Sequence, residues 1–216
     1  MAVVNTNVAA ASSMVVWILL DIIYAKYRGQ NVVFVSIPGV CSATVVGLVV
    51  VTPGAGYVQP GYALLMGALG GLLIYLFLSG KKRFFHIDDT LDVFSCHGIG
   101  GIIGTLCTGL FCQNDVNGSI KNGAFYGNPM QLWYQMLGVL VTCAYSATCT
   151  AAILLPMHFT IGIQISRVDQ VRGLDNVAHG VMDLEQQPKM QNIKIASIKQ
   201  RTIDTSLATM NPVSVN

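Results

Sequence analysis

The chain has 216 residues, 53% of them hydrophobic and only 10% charged, with a formal net charge of +2 at pH 7. Soluble domains carry roughly 25% charged residues, so this composition excludes an ordinary water-soluble domain and describes a membrane protein. The positive charge is small and dispersed, and Lys and Arg are never clustered with aromatic residues in a way that would form a binding track, which argues against nucleic acid.

Five stretches are long enough to span a bilayer, at about 3–24, 32–51, 61–78, 91–111 and 132–165. At 1.5 Å per residue, about 20 residues cross a hydrocarbon core of about 30 Å, and each stretch reaches or approaches that length. The first opens on Asn5, Thr6 and Asn7, which are polar but uncharged, and carries Asp21 near its inner end. Between the second and third stretches, TPGAGYVQP holds two prolines and two glycines, the composition of a rigid turn. The third and fourth are rich in glycine, and Gly100 and Gly104 form a GxxxG pair of the kind that lets helices approach closely in lipid. The fifth is longer than one crossing needs and holds Pro156 and His158, read as structural: the proline frees a backbone acceptor that a donor could satisfy. Residues 1–169 form the transmembrane part, and 170–216 a polar tail whose end has the composition of a disordered segment.

Cationic residues fix the sidedness. Lys26 and Arg28 follow the first span, Lys81, Lys82 and Arg83 the third, and Arg167 and Arg172 the fifth, whereas the other two loops hold only Lys121 against Asp115. This alternation puts the N-terminus outside and the C-terminal tail in the cytoplasm. Asn117-Gly118-Ser119 is an N-glycosylation sequon in a loop predicted to lie outside; it is either a used acceptor or a chance tripeptide. The six cysteines lie mostly inside apolar runs without CxxC pairing, so they read as small buried residues and not as disulfides or metal ligands. No basic segment precedes the first apolar stretch and no small-residue cleavage site follows a short one, so no signal peptide is expected.

The segment DDTLDVFSCHGIGGIIGTLCTGLF, Asp88 to Phe111, carries the strongest functional signal. It sets Asp88, Asp89 and Asp92 ahead of a single histidine, His97, in an otherwise uncharged apolar run. An ionisable residue in a bilayer-length stretch marks a functional site, because burying a charge there is costly. His97 could line a conduction path as a neutral ring, relay a proton, or be a structural residue bonded to a neighbouring helix. Asp88 or Asp89 is expected to cap the helix, and Asp92 to lie in its first turn, buried and bonded to backbone or hydroxyl donors. No second histidine or carboxylate stands at metal-ligand spacing in the apolar part, and no cofactor is expected.

That segment resembles a late-span motif of the ammonium transporter family, the Amt/Mep/Rh channels. VNTNVAAASSMVVW at Val4 to Trp17 resembles the opening of the family's seventh span, and GLVVVTPGAGYVQP at Gly47 to Pro60 the end of its eighth. GLDNVAHG at Gly173 to Gly180 resembles its cytoplasmic-tail motif, although Val181 stands where the family has a glutamate. The resemblance implies an all-α polytopic membrane protein, corresponding to the second half of an eleven-span protomer built from two inverted repeats. It further implies a homotrimer in a lipid bilayer, NH4+ or NH3 as substrate, transport without chemistry on the substrate, and His97 as one of two histidines facing across the pore. Nothing corresponds to the family's earlier spans, so the chain is expected to be a fragment, a truncated gene product or one piece of a split transporter. Two alternatives remain: a non-conducting assembly partner or inactive fragment, and an Rh-like ammonia or carbon dioxide channel. His97, Gly100, Gly104 and Thr108 are expected to share one face left open toward absent helices.

Overall fold

The computed structural model describes residues 1–29, 35–84, 89, 91–165 and 170, the side chains of 82–84 excepted. Asp88, His86 and almost all of the polar tail, with its GLDNVAHG motif, lie outside the described residues. The chain divides into two compact units, 1–149 and 150–216, with the division falling inside the last helix.

Five long helices follow one another: α1 (Ala2–Tyr27), α2 (Ile37–Val51), α3 (Pro60–Phe84), α4 (Gly100–Phe111) and α5 (Met130–Thr160). A π-helical turn at Phe94–Ile99 runs directly into α4, and together they make one apolar span of 18 residues. All five spans are long and apolar enough to cross a membrane. Local sequence sets several of the ends. The Ser36 hydroxyl accepts from the Gly39 N–H at 3.4 Å, with Pro38 just inside the helix, where its missing N–H costs nothing. Thr52-Pro53-Gly54 ends α2 in a single 3-10 turn, and α3 starts on Pro60. α5 ends where Gly162, at φ 73°, donates its N–H to the Met157 carbonyl, a left-handed cap that suits glycine.

Helix α1 is the hub of the first unit. Asn5, Ala9, Ser13 and Trp17, four residues apart, make one buried stripe against α2 and α3. Its polar members bond to backbone rather than to charge, although the buried Asn5 Oδ1 has no hydrogen-bond partner among the described residues. The Asn5 amide donates to the Ala55 and Val58 carbonyls at 2.8 and 2.7 Å, and the Ser13 hydroxyl to the Ala43 carbonyl at 2.7 Å. In lipid such bonds stand in for the missing water. Glycine allows the close approaches: a Cβ on Gly67 would overlap the Ala9 carbonyl, and one on Gly104 would overlap the Val50 carbonyl of α2.

The two loops expected on one side of the membrane do meet at one end of the bundle. Gln59 donates to Gln113 at 2.7 Å, and the Gln113 N–H donates to the Tyr57 carbonyl at 2.9 Å. Tyr62 stacks on Phe111 with ring centroids 4.9 Å apart, and the Tyr126 hydroxyl is bonded to that of Tyr62. The TPGAGYVQP loop is thus tied to α1, α3 and the loop after α4. No residue of α5 is buried.

Candidate functional site

At the opposite end of the bundle, Lys81 in the last turns of α3 reaches across to the segment that starts the fourth span. Its ammonium lies 2.9 Å from Asp89 Oδ2, 3.0 Å from Asp92 Oδ1 and 3.2 Å from the Asp89 backbone carbonyl. Those are three acceptors for an ammonium with three N–H donors. The Lys81 and Asp89 side chains are only 11% and 10% exposed, which shields the pair from water, whereas that of Asp92 is 38% exposed. Two carboxylates and one ammonium leave the cluster with a net charge of −1.

Asp89 is the organising acid. Its carboxylate accepts from the N–H groups of Phe94 and Ser95 at 3.3 and 3.4 Å and from the Ser95 hydroxyl at 3.2 Å. It therefore caps the π-helical turn from five residues upstream, where the free N–H groups favour negative charge. The hydrogen bond from Lys81 is the largest influence on its carboxyl. That bond and the two N–H donors hold the carboxyl below the ordinary 3.8, against the opposing effect of burial.

Asp92 differs from expectation. It does not lie in a helical turn: its φ is 54°, and it is the one non-glycine residue with positive φ among the described residues. Aspartate is among the residues that tolerate this region best. Among the described residues its side chain meets Lys81 and no backbone or hydroxyl donor, while its carbonyl accepts the Cys96 N–H at 2.8 Å. The burial and the N–H and hydroxyl partners expected of Asp92 belong to Asp89. The Asp92 N–H donates to the Asp89 carbonyl at 3.1 Å, and this turn keeps the earlier aspartate beside the free N–H groups of the helix start.

His97 lies in the π-helical turn, three residues after the span begins and nearer the Lys81 end than the span's centre. Its side chain is exposed and lines a cleft of about 750 Å³ between the fourth span and α5. Phe94, Gly98, Gly101, Ile102 and Thr105 form the same wall, and Gln135, Val139, Thr142 and Ser146 stand opposite on α5. Most of the lining is apolar, with a few hydroxyls and one amide. The Thr105 hydroxyl donates to the Gly101 carbonyl at 2.8 Å, so its oxygen faces the cleft as an acceptor.

The face expected to be open is a different one. Gly100, Gly104 and Thr108 are buried against α2 and the turn after it, where a Cβ on Gly54 would stand 2.9 Å from the Thr108 hydroxyl. Gly101, by contrast, has open space where a side chain would be. The small residues on the cleft are Gly98, Gly101 and Thr105, one helical position away from the expected set. The GxxxG pair is spent inside the bundle.

Sequence reading also left Lys81 as a side-setting charge and missed its two partners. The signal available was its place at the end of a span, eight residues before Asp89 and eleven before Asp92. His158 is exposed on α5, its ring 5.4 Å from that of Phe159. Asn117 lies half-buried in the loop after α4, and its side-chain oxygen accepts from the Ser119 N–H at 3.1 Å. Among the described residues no three His, Cys, Asp or Glu side chains converge as a metal set.

Five apolar spans and a histidine on a largely apolar cleft define a polytopic α-helical membrane protein. The family model described as Ammonium Transporter Family matches residues 1–184, and the chain belongs to that family. It is 36% identical to ammonium transporter 1 of Dictyostelium discoideum, over 83% of this chain and 37% of the relative. It is also 36% identical to the ammonium transporter of Aquifex aeolicus, over 83% and 40%. Among solved structures, Candida albicans Mep2 superposes with a TM-score of 0.68 at 33% identity, over 78% of this chain and 37% of Mep2. Saccharomyces cerevisiae Mep2 gives 0.68 at 31%, over 77% and 37%. The chain thus spans well under half the length of the curated relatives it matches, and has the ammonium-transporter fold over that portion.

Proposed function

We propose that this chain serves ammonium transport across a membrane, supplying one wall of an ammonia path with His97 on it. The observation that carries the reading is the placement of His97 on the cleft wall, in a chain whose relatives are named as ammonium transporters. The physics agrees. A bare NH4+ has no low-cost route between apolar walls, whereas neutral NH3 needs only a few hydrogen-bond partners. An imidazole offers one donor and one acceptor and has a near-neutral intrinsic pKa, so it can hand ammonia along or take up its proton. The same reading places the Lys81 end of the bundle and the tail in the cytoplasm, the Gln59–Gln113 end outside, Asn117 on the glycosylated side, and the working assembly as a homotrimer.

The cleft favours one refinement: with one wall open, the chain conducts only when another segment closes it. Alone, it is a non-conducting partner. Both statements are tested in cells lacking their own ammonium uptake. One arm expresses the 216-residue chain; the other expresses a chimera in which residues 1–184 replace the matching part of a full-length relative. Growth on low ammonium with the chimera, reduced at least about tenfold in uptake rate by His97→Ala, is the expected result. A chimera that reaches the membrane and takes up nothing overturns the transport reading. Uptake by the chain alone overturns the refinement.

A further inference from the structure

Among the described residues, no hydrogen bond is made by the His97 ring on the cleft wall. Its side chain is exposed, and the adjacent Gly98 and Gly101 offer no bulk to pack it. What fixes it lies one turn back. The π-helical turn from Phe94 to Ile99 carries one more residue per turn than an α-helix would, and such turns persist only where something holds both ends. One end continues into α4, which is anchored by Gly104 against Val50. The other end hangs on Asp89, through Phe94 and Ser95, and on Asp92, whose carbonyl takes the Cys96 N–H.

We infer that Lys81 is a positioning residue: by tying Asp89 and Asp92 to the end of α3, it holds the π-helical turn in register and so aims His97 into the cleft. Three facts support this. The ammonium is fully used, each N–H having its own acceptor on the two aspartates. The Lys81 and Asp89 side chains are only 11% and 10% exposed, and removing one partner leaves the other without its counter-charge. Asp92 also sits at a positive φ, a minority conformation even for aspartate, which its contact with Lys81 helps to hold. Without Lys81, Asp92 can return to an ordinary φ and the turn can relax to α-helical pairing. Position 97 lies midway along the turn, so undoing the turn rotates it relative to α4 by about 50°, roughly half of the 100° that a full one-residue shift makes. The ring then leaves the cleft, although no residue that touches the cleft has changed.

This inference rests on the transport reading only for what His97 does, and the experiment separates the two. The 216-residue chain, labelled with 15N-histidine and 13C, is studied in lipid nanodiscs as wild type, Lys81→Met, Lys81→Arg and Asp92→Asn, with His97→Gln to assign the ring signals. Lys81→Met is expected to move the His97 ring signals and the backbone carbon shifts of Phe94 to Ile99 together, while those of His158 stay in place. Lys81→Arg, which keeps the charge and most of the donors, restores them. If Lys81→Met does not fold, Asp92→Asn carries the test: it leaves the shielded Lys81–Asp89 pair and removes the exposed arm, and the same shifts must move. Unchanged 94–99 and His97 signals in a folded Lys81→Met or Asp92→Asn chain overturn the inference. So does movement of His158 to the same extent, which would mean general loosening. In the chimera, Lys81→Met is expected to reach the membrane at wild-type level with uptake lowered about tenfold, a typical effect of misplacing a group at a site. Moved His97 signals with unaltered uptake would leave the positioning intact and count against the role assigned to His97.

Discussion

The three acidic positions before the fourth span look alike in sequence, yet the two that are described do different work. Asp89 takes two backbone donors, one hydroxyl and the Lys81 ammonium; Asp92 takes the ammonium alone, at the edge of the protein. Asp89→Asn should therefore destabilise the protein more than Asp92→Asn, because it leaves a shielded lysine short of its counter-charge. Thermal unfolding of both variants in detergent checks the order, and a larger loss for Asp92→Asn would contradict it. The Asp89 carboxyl also makes stability depend on acid. Its folded pKa is depressed, so its contribution is complete above the ordinary value of 3.8 and is lost as the pH falls through the lower folded value. Between about pH 6 and pH 3 the wild type should lose more stability than Asp89→Asn, which has no carboxylate to protonate at that position.

At the scale of elements, the bundle depends on helices that touch backbone to backbone. Gly67 of α3 and Gly47 of α2 both press on Ala9 of α1, and Gly104 of α4 presses on Val50 of α2. A methyl group at any of these would meet backbone, which cannot give way as a flexible side chain can. Gly67→Ala and Gly104→Ala should each cost about 1–3 kcal/mol, the usual penalty of overpacking. Gly101→Ala has open space before it and should be tolerated, or slightly favourable for the helix. Melting temperatures of the three variants measure the contrast. Equal losses at Gly101 and Gly104 would mean that the register of α4 is wrong.

Across the molecule, the first four helices form the packed part while α5 buries none of its residues. The cysteines report this directly. Cys96, Cys107 and Cys112 are buried, whereas Cys41 and Cys143 are exposed, the latter on the wall of the cleft. A maleimide applied to the chain in mild detergent should label Cys41 and Cys143 well before the buried three, as peptide mapping by mass spectrometry would show. Slow labelling of Cys143 alone would mean that something covers the cleft. In the chimera, where the refinement expects the cleft to be closed, labelling at Cys143 should slow while Cys41 stays unchanged.

The amino-acid sequence by itself determined the class of fold and the number of apolar spans, and singled out His97 as the candidate histidine. Hydropathy, the side preference of lysine and arginine, and a titratable group inside a lipid-length run are local properties, and each can be read within one segment. Most of the resemblance to ammonium transporters was equally legible, because it rests on contiguous motifs. The partner of the aspartates and the face of α4 that meets the cleft were decided only by the tertiary structure. Lys81 and Asp89 are separated by residues that give no sign of bringing them together. The π-helical turn shifts every following side chain by one position, so Gly101 and Thr105 take the open face while Gly104 and Thr108 go inside. An extra residue in one turn costs little locally and is paid back by contacts far along the chain, so no window of sequence contains the reason for it.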